Sequence, residues 1–127
     1  MRMFQDILEV LPKEERDFIG ELDLTKDIIE FGNKDTCMAL LTKGMKTKIG
    51  KQAYWLIIAT HPVCRGNGLA SKLLEEEVLP YIQKNDGVLY SKIKPSNHTS
   101  KQWHIKHRAA YLTTNVEGWE IWTIPCV

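Results

Sequence analysis

The chain has 127 residues, 43% hydrophobic and 26% charged, with a formal net charge of +1 at pH 7, which fits one globular domain with a single core. No apolar run nears the roughly 20 residues of a membrane span, and no signal-peptide h-region opens the chain. Three cysteines, Cys37, Cys64 and Cys126, form no C-x-x-C and are odd in number, which argues against a disulfide scaffold or zinc ribbon and for a reducing, cytoplasmic setting.

Residues 3–11 and 13–24 read as two short helices broken at Pro12. Phe4, Ile7, Leu8 and Leu11 share one face, and so do Phe18, Ile19 and Leu22. Ile28 to Phe31 either closes this helical region at Gly32 or forms one arm of a hairpin turning at Gly32-Asn33. Thr36 to Thr42 reads as a strand and residues 43–51, with four lysines and two glycines, as a loop. The opening is acidic: residues 1–35 carry ten acidic and five basic side chains, the remainder six and twelve. A basic half of that kind favours a polyanion, whether coenzyme phosphates or nucleic acid.

The central unit follows. An apolar strand, Tyr54 to Ala59, ends at Thr60-His61-Pro62. A glycine turn, Cys64-Arg65-Gly66-Asn67-Gly68-Leu69-Ala70, leads into an amphipathic helix with Leu69, Leu73, Leu74, Val78, Tyr81 and Ile82 on its apolar face. Strand, glycine turn and helix present free backbone N–H groups to an anion at the positive end of the helix. The dinucleotide pattern G-x-G-x-x-G fails at Ser71, and no G-x-x-x-x-G-K-[ST] occurs. Beyond a turn at Asn85-Asp86-Gly87, Val88 to Ile93 reads as a strand parallel to the central one. Asn97 caps a helix over residues 98–107. A hairpin ends the chain, with arms Tyr111 to Thr114 and Trp119 to Ile124 and a turn at Glu117-Gly118.

Arg65-x-x-Gly68-x-Ala70, with its lead-in His61-Pro62-x-x-Arg65-Gly66-x-Gly68, resembles the Q/R-x-x-G-x-G/A signature of the GNAT superfamily of acyl-CoA-dependent N-acyltransferases. A second likeness lies in the late helix. There Asn97, Ser100 and Lys106 stand in register with the family's N-x-x-S-x-x-x-Y-x-K-x-G-F, while His104 replaces the tyrosine and Arg108-Ala109 the Gly-Phe. The resemblance implies an α/β (α+β) fold, a mixed central sheet flanked by helices with a β-α-β pyrophosphate unit, over one domain, residues 1–127. The family's opening strand is not found, so that strand is expected to be missing.

The resemblance also implies acetyl-CoA as acyl donor, with no metal, and an amine acceptor, small molecule or protein, attacking directly. Ile58, Ala59 and Thr60 would hold the pantetheine arm. Arg65, Gly66, Asn67, Gly68, Leu69, Ala70, Ser71 and Asn97 complete the expected cofactor site, with Lys101 or Lys106 as further counter-charges. His104 takes the place of the tyrosine that protonates the departing thiolate. The family's central-strand glutamate base has no counterpart between Tyr54 and Thr60. Two rival readings stand beside the enzyme: a degenerate GNAT-fold binding protein without turnover, and a basic nucleic-acid-binding domain that rests on charge alone. Nucleic acid and membrane are not expected partners, and the chain is expected as a monomer or homodimer.

Overall fold

Apolar runs become central strands where both faces of a sheet are covered. In β2 (Cys37–Lys46) every residue from Cys37 to Leu41 is buried. Cys37, Ala39 and Leu41 join Leu56, Leu74, Val78 and Ile82 in one core cluster, whereas Met38 and Leu40 join Phe4, Ile7 and Leu11 in another. Alternation along one strand thus supplies two helical layers. This arrangement comes from a computed structural model that describes residues 3–20, 22 and 27–126.

The sheet has six strands in the order β1-β2-β3-β4-β6-β5. They are β1 (Ile28–Asn33), β2, β3 (Gln52–Thr60), β4 (Gly87–Ile93), β5 (Ala110–Thr114) and β6 (Glu120–Ile124). Among the described residues only β3 and β4 pair in parallel. Helix α1 (Met3–Val10) and α2 (Lys13–Ile19) cover one face through Phe4, Ile7 and Ile19. The crossover from β3 to β4 covers the other, and Trp103 of α5 (His98–Lys106) packs against the same cluster. Among the described residues the first strand is β1, after both helices.

The amphipathic stretch after the glycine turn is three pieces: α3 (Leu69–Leu73), a π turn (Leu74–Val78) and α4 (Leu79–Lys84). Pro80 explains the widened turn. It has no N–H to give to the carbonyl of residue 76, and its ring crowds that carbonyl, so the ladder shifts register. The amide of Leu79 bonds Leu74 O instead.

Several sequence expectations change in detail. The second helix stops at Gly20, with φ +79, rather than at residue 24; residues 21, 23 and 24 lie outside the described ones. Ile28 to Phe31 is the hairpin arm, but its turn lies one step beyond Gly32-Asn33. Asn33 Oδ1 accepts from Asp35 N at 2.7 Å, and Gly32 pairs with Met38 inside the strand. Residues 43–46 are strand, not loop, because β2 continues past a bulge to pair Lys46 with Gln52. The final hairpin forms as expected, with β6 inserted between β4 and β5.

Candidate functional site

β3 and β4 begin as neighbours and then part. Their pairing runs from Gln52↔Gly87 to Trp55↔Tyr90 and stops there. Each keeps its other partner to the end, β3 with β2 through Thr60 and β4 with β6 through Ile93. The two inner backbone edges, residues 56–60 and 91–93, therefore face a gap instead of each other. A cleft of about 750 Å³ occupies it, lined by Leu56 to Thr60 on one side and Ser91 to Ile93 on the other.

The glycine turn forms one end of this cleft. His61 acts locally: its Nδ1 accepts from Val63 N at 3.2 Å and caps the short 3₁₀ turn Pro62–Cys64. Gly66 and Gly68 have φ of +84° and +69°, the left-handed region, and a Cβ on either would meet no atom within 4 Å. They serve the backbone's hand and leave it open to approach. The first helical bond beyond them is Lys72 N to Gly68 O at 3.0 Å, so the N–H groups of Leu69, Ala70 and Ser71 precede the intrahelical ladder.

Of the expected cofactor residues, Ile58, Ala59, Thr60, Arg65, Gly66, Gly68, Leu69, Ala70, Ser71 and Asn97 all line the cleft, as does His104. Asn67 is not among its lining residues, and its side chain donates to Cys64 O at 3.4 Å. Asn97 caps α5 by accepting from Ser100 N at 3.2 Å. Arg65 is already engaged. Its guanidinium grips both oxygens of Glu15 at 2.6 and 2.8 Å, and Nε and Nη2 reach Thr60 O at 3.4 and 3.3 Å. That grip fastens α2 to the end of β3, so Glu15 and Phe18 of α2, with Leu11 just before it, form a further wall.

His104 is 4% exposed and packs edge-on against Trp103. Its Nδ1 lies 2.7 Å from the Ser100 carbonyl oxygen. A carbonyl only accepts, so Nδ1 carries the proton and neutral Nε2 is left as an acceptor. Nε2 is buried without a partner. Burial holds the pKa of His104 below the ordinary histidine value, more strongly than the Ser100 bond raises it, and the nearby His107 lowers it further. A neutral ring in this tautomer offers Nε2 as an acceptor, so it must take up a proton there before it can give one. Ser91 of β4, 3% exposed, lines the same cleft, and its Oγ is likewise buried without a partner.

A second network sits beside the glycine turn. Ser71 Oγ accepts from Trp103 Nε1 at 3.1 Å and lies 2.8 Å from His107 Nε2. His107 Nδ1 faces Glu75 Oε1 at 3.6 Å. Lys101, by contrast, pairs with Glu120 at 2.9 Å. No group of three His, Cys, Asp or Glu side chains among the described residues has metal-binding geometry.

Sequence reading missed Ser91 and Glu15. The signal for Ser91 was present: Leu89, Ser91 and Ile93 share one strand face, and a serine between two core residues needs a reason. Glu15 had no such mark, because its role depends on where α2 lies.

No protein-family model and no curated protein matches the sequence. Solved structures do. The GNAT domain of S. lividans PAT superposes with a TM-score of 0.74 over 96% of this chain and 82% of that one, at 11% identity. The ribosomal-protein-S18-alanine N-acetyltransferase of Escherichia coli gives 0.62 over 99% and 90%, at 15% identity. A putative acetyltransferase of Salmonella typhimurium, yncA, solved with its cofactor acetyl-CoA, gives 0.53 over 69% and 54%, at 18% identity. This chain thus spans about half the length of that last structure. The chain has the GNAT fold: a mixed six-stranded sheet, flanked by helices and forked between its two parallel strands.

Proposed function

We propose that the chain is an acetyl-CoA-dependent N-acetyltransferase that passes an acetyl group to an amine by direct attack within the forked cleft. The observation that carries this reading is the fork itself, together with two residues of the cleft wall, His104 and Ser91, each of which has a buried polar atom without a partner. Strand edges open to the cleft offer backbone donors and acceptors that a ligand can pair, and a buried polar side chain left unpaired costs about 1–3 kcal/mol. The pantetheine arm carries amides that suit two facing strand edges. The left-handed Gly66 and Gly68 leave the backbone before α3 open to a phosphate.

His104 then handles the proton. As the amine nitrogen bonds to the acyl carbon, Nε2 accepts the proton that nitrogen loses. As the carbon–sulfur bond breaks, the same proton goes to sulfur. The return is downhill, since a thiol titrates near 8.5 and an imidazole near 6.5. One nitrogen serves as base and then as acid, and the central strand needs no glutamate. Such a group is worth about 10²–10⁴-fold in rate. Ser91 Oγ supplies a hydrogen-bond donor at the vertex of the fork, where charge develops on the acyl oxygen or on sulfur. The acceptor, a small-molecule or protein amine, enters beside α1 and α2.

One observation favours a second reading, a GNAT-fold binding protein without turnover. Arg65, the signature's cation, is spent on Glu15. The two readings separate in one experiment: calorimetry with acetyl-CoA beside a thiol-release assay against a panel of amines. Binding with release supports the enzyme, binding without release the binding protein, and neither result removes both.

A further inference from the structure

The Ser71–His107 contact has a donor arithmetic that the transfer reaction does not use. Ser71 Oγ has one proton and already accepts from Trp103 Nε1 at 3.1 Å. His107 Nε2 lies 2.8 Å away, and its side chain is only 8% exposed. Glu75, on the π turn, faces Nδ1 at 3.6 Å. A carboxylate there favours a proton on Nδ1, so a neutral His107 keeps Nε2 as acceptor and holds the Ser71 O–H on itself. A protonated His107 donates from Nε2 instead. Ser71 Oγ then accepts from both Trp103 and His107, and its own proton is free to point into the cleft.

We propose that His107 is a positioning residue that couples anion binding at Ser71 to the uptake of one proton. In the free protein the serine donor is held on His107, turned away from the cleft. Proton uptake at His107 turns that donor towards a phosphate oxygen and places a positive charge behind it. The inference rests on the reading of the cleft as an acyl-CoA site, because the anion is that ligand's phosphate. Ionisable groups around the ring are Glu75 on the π turn and Lys106 and His104 on α5. Glu75 favours the charged ring, Lys106 opposes it, and His104 is neutral. Burial outweighs Glu75 and keeps the free ring below the ordinary histidine pKa, so the free protein near pH 7 holds it neutral.

The sign follows. The complex binds more protons than the free protein, so affinity rises as pH falls towards the free ring's pKa and levels off below it. The probe is 3′-dephospho-CoA, which lacks the monoester phosphate that itself titrates near pH 6. Calorimetry at pH 7.5 in two buffers of different ionisation enthalpy counts the protons taken up. The wild type is expected to take up a substantial fraction of one proton. His107→Gln, whose amide can donate to Ser71 without a proton from solvent, is expected to bind with uptake near zero. Ser71→Ala is expected to bind more weakly, with reduced uptake. Binding without uptake in the wild type, or equal uptake in His107→Gln, overturns the proposal. If neither CoA nor its dephospho form gives any binding heat, the acyl-CoA reading fails and this inference falls with it.

Discussion

His104 Nδ1 donates to the carbonyl oxygen of Ser100 at 2.7 Å, one helical turn back, and that bond fixes what its other nitrogen can do. Ser100 serves α5 twice: its amide is capped by Asn97 and its carbonyl orients the imidazole. With Nδ1 committed and Nε2 buried without a partner, neutral His104, one of the residues that line the cleft, keeps Nε2 as an acceptor.

Replacing His104 by alanine is expected to leave acetyl-CoA affinity nearly intact and to lower turnover by about 10²–10⁴-fold. In the wild type, turnover should depend on the neutral ring. It is expected to fall as pH drops through the depressed pKa of His104 and to hold level above it. Steady-state rates from pH 5 to 8 on a validated acceptor provide the check. Full turnover in His104→Ala would make the residue merely structural.

Stability should follow the same protons. Burial lowers the folded-state pKa of both His104 and His107. Below the unfolded value of about 6.5, the unfolded chain therefore binds more protons than the folded one. Stability is expected to be complete above that pH and to decline as pH falls towards the folded values. Urea unfolding at pH 7.5 and 5.5 measures the decline, and His104→Gln should reduce it. A midpoint that does not move between the two pH values would contradict the buried, neutral assignment.

Ser91→Ala removes a buried hydroxyl that has no partner. The free protein is expected to be as stable as wild type, or more stable by up to about 1 kcal/mol, while turnover falls. A drop in stability with unchanged turnover would assign Ser91 to the core instead. Urea unfolding and the thiol-release assay together decide it.

Affinity for acetyl-CoA is expected to weaken with ionic strength, since exposed charge pairs are screened over about 8–10 Å at physiological salt. Sequence reading offered Lys101 and Lys106 equally as counter-charges. Lys101 is now committed to Glu120, whereas Lys106 lines the cleft. Lys106→Ala should flatten the salt response, and Lys101→Ala should leave it unchanged. Titrations at three salt concentrations distinguish them.

The parts of the site that depend on short-range chemistry were legible in the sequence. Gly66 and Gly68 announce a turn that needs left-handed backbone, and the Asn97 cap announces α5, because both effects act within a few residues. The β-α-β unit follows from an apolar run, a helix and a returning strand. What could not be read depends on distant partners. The protonation of His104 requires knowing that Ser100 presents a carbonyl to Nδ1 and that Trp103 and the sheet bury the ring. Arg65 reads as a free cation until α2 is folded over it and Glu15 arrives. The length of β2 was underestimated because Lys43 and Lys46 look like loop residues, although their side chains only need one solvated face at a sheet end. Pro80 was passed over inside an otherwise regular helical pattern, and the π turn is its consequence.

The central claim is that the glycine turn and the fork together bind acyl-CoA, and Gly68→Asp tests it most directly. Gly68 has φ +69° and ψ +21°, a conformation aspartate adopts more readily than most residues, and its Cβ meets nothing within 4 Å. The substitution should therefore keep the fold and place a negative charge where a phosphate would lie. Calorimetric titration with acetyl-CoA, beside circular dichroism of both proteins, is the measurement. Saturable binding to the wild type and none to a folded Gly68→Asp is the expected result. Equal affinity in the folded variant, or no binding to the wild type, would contradict it.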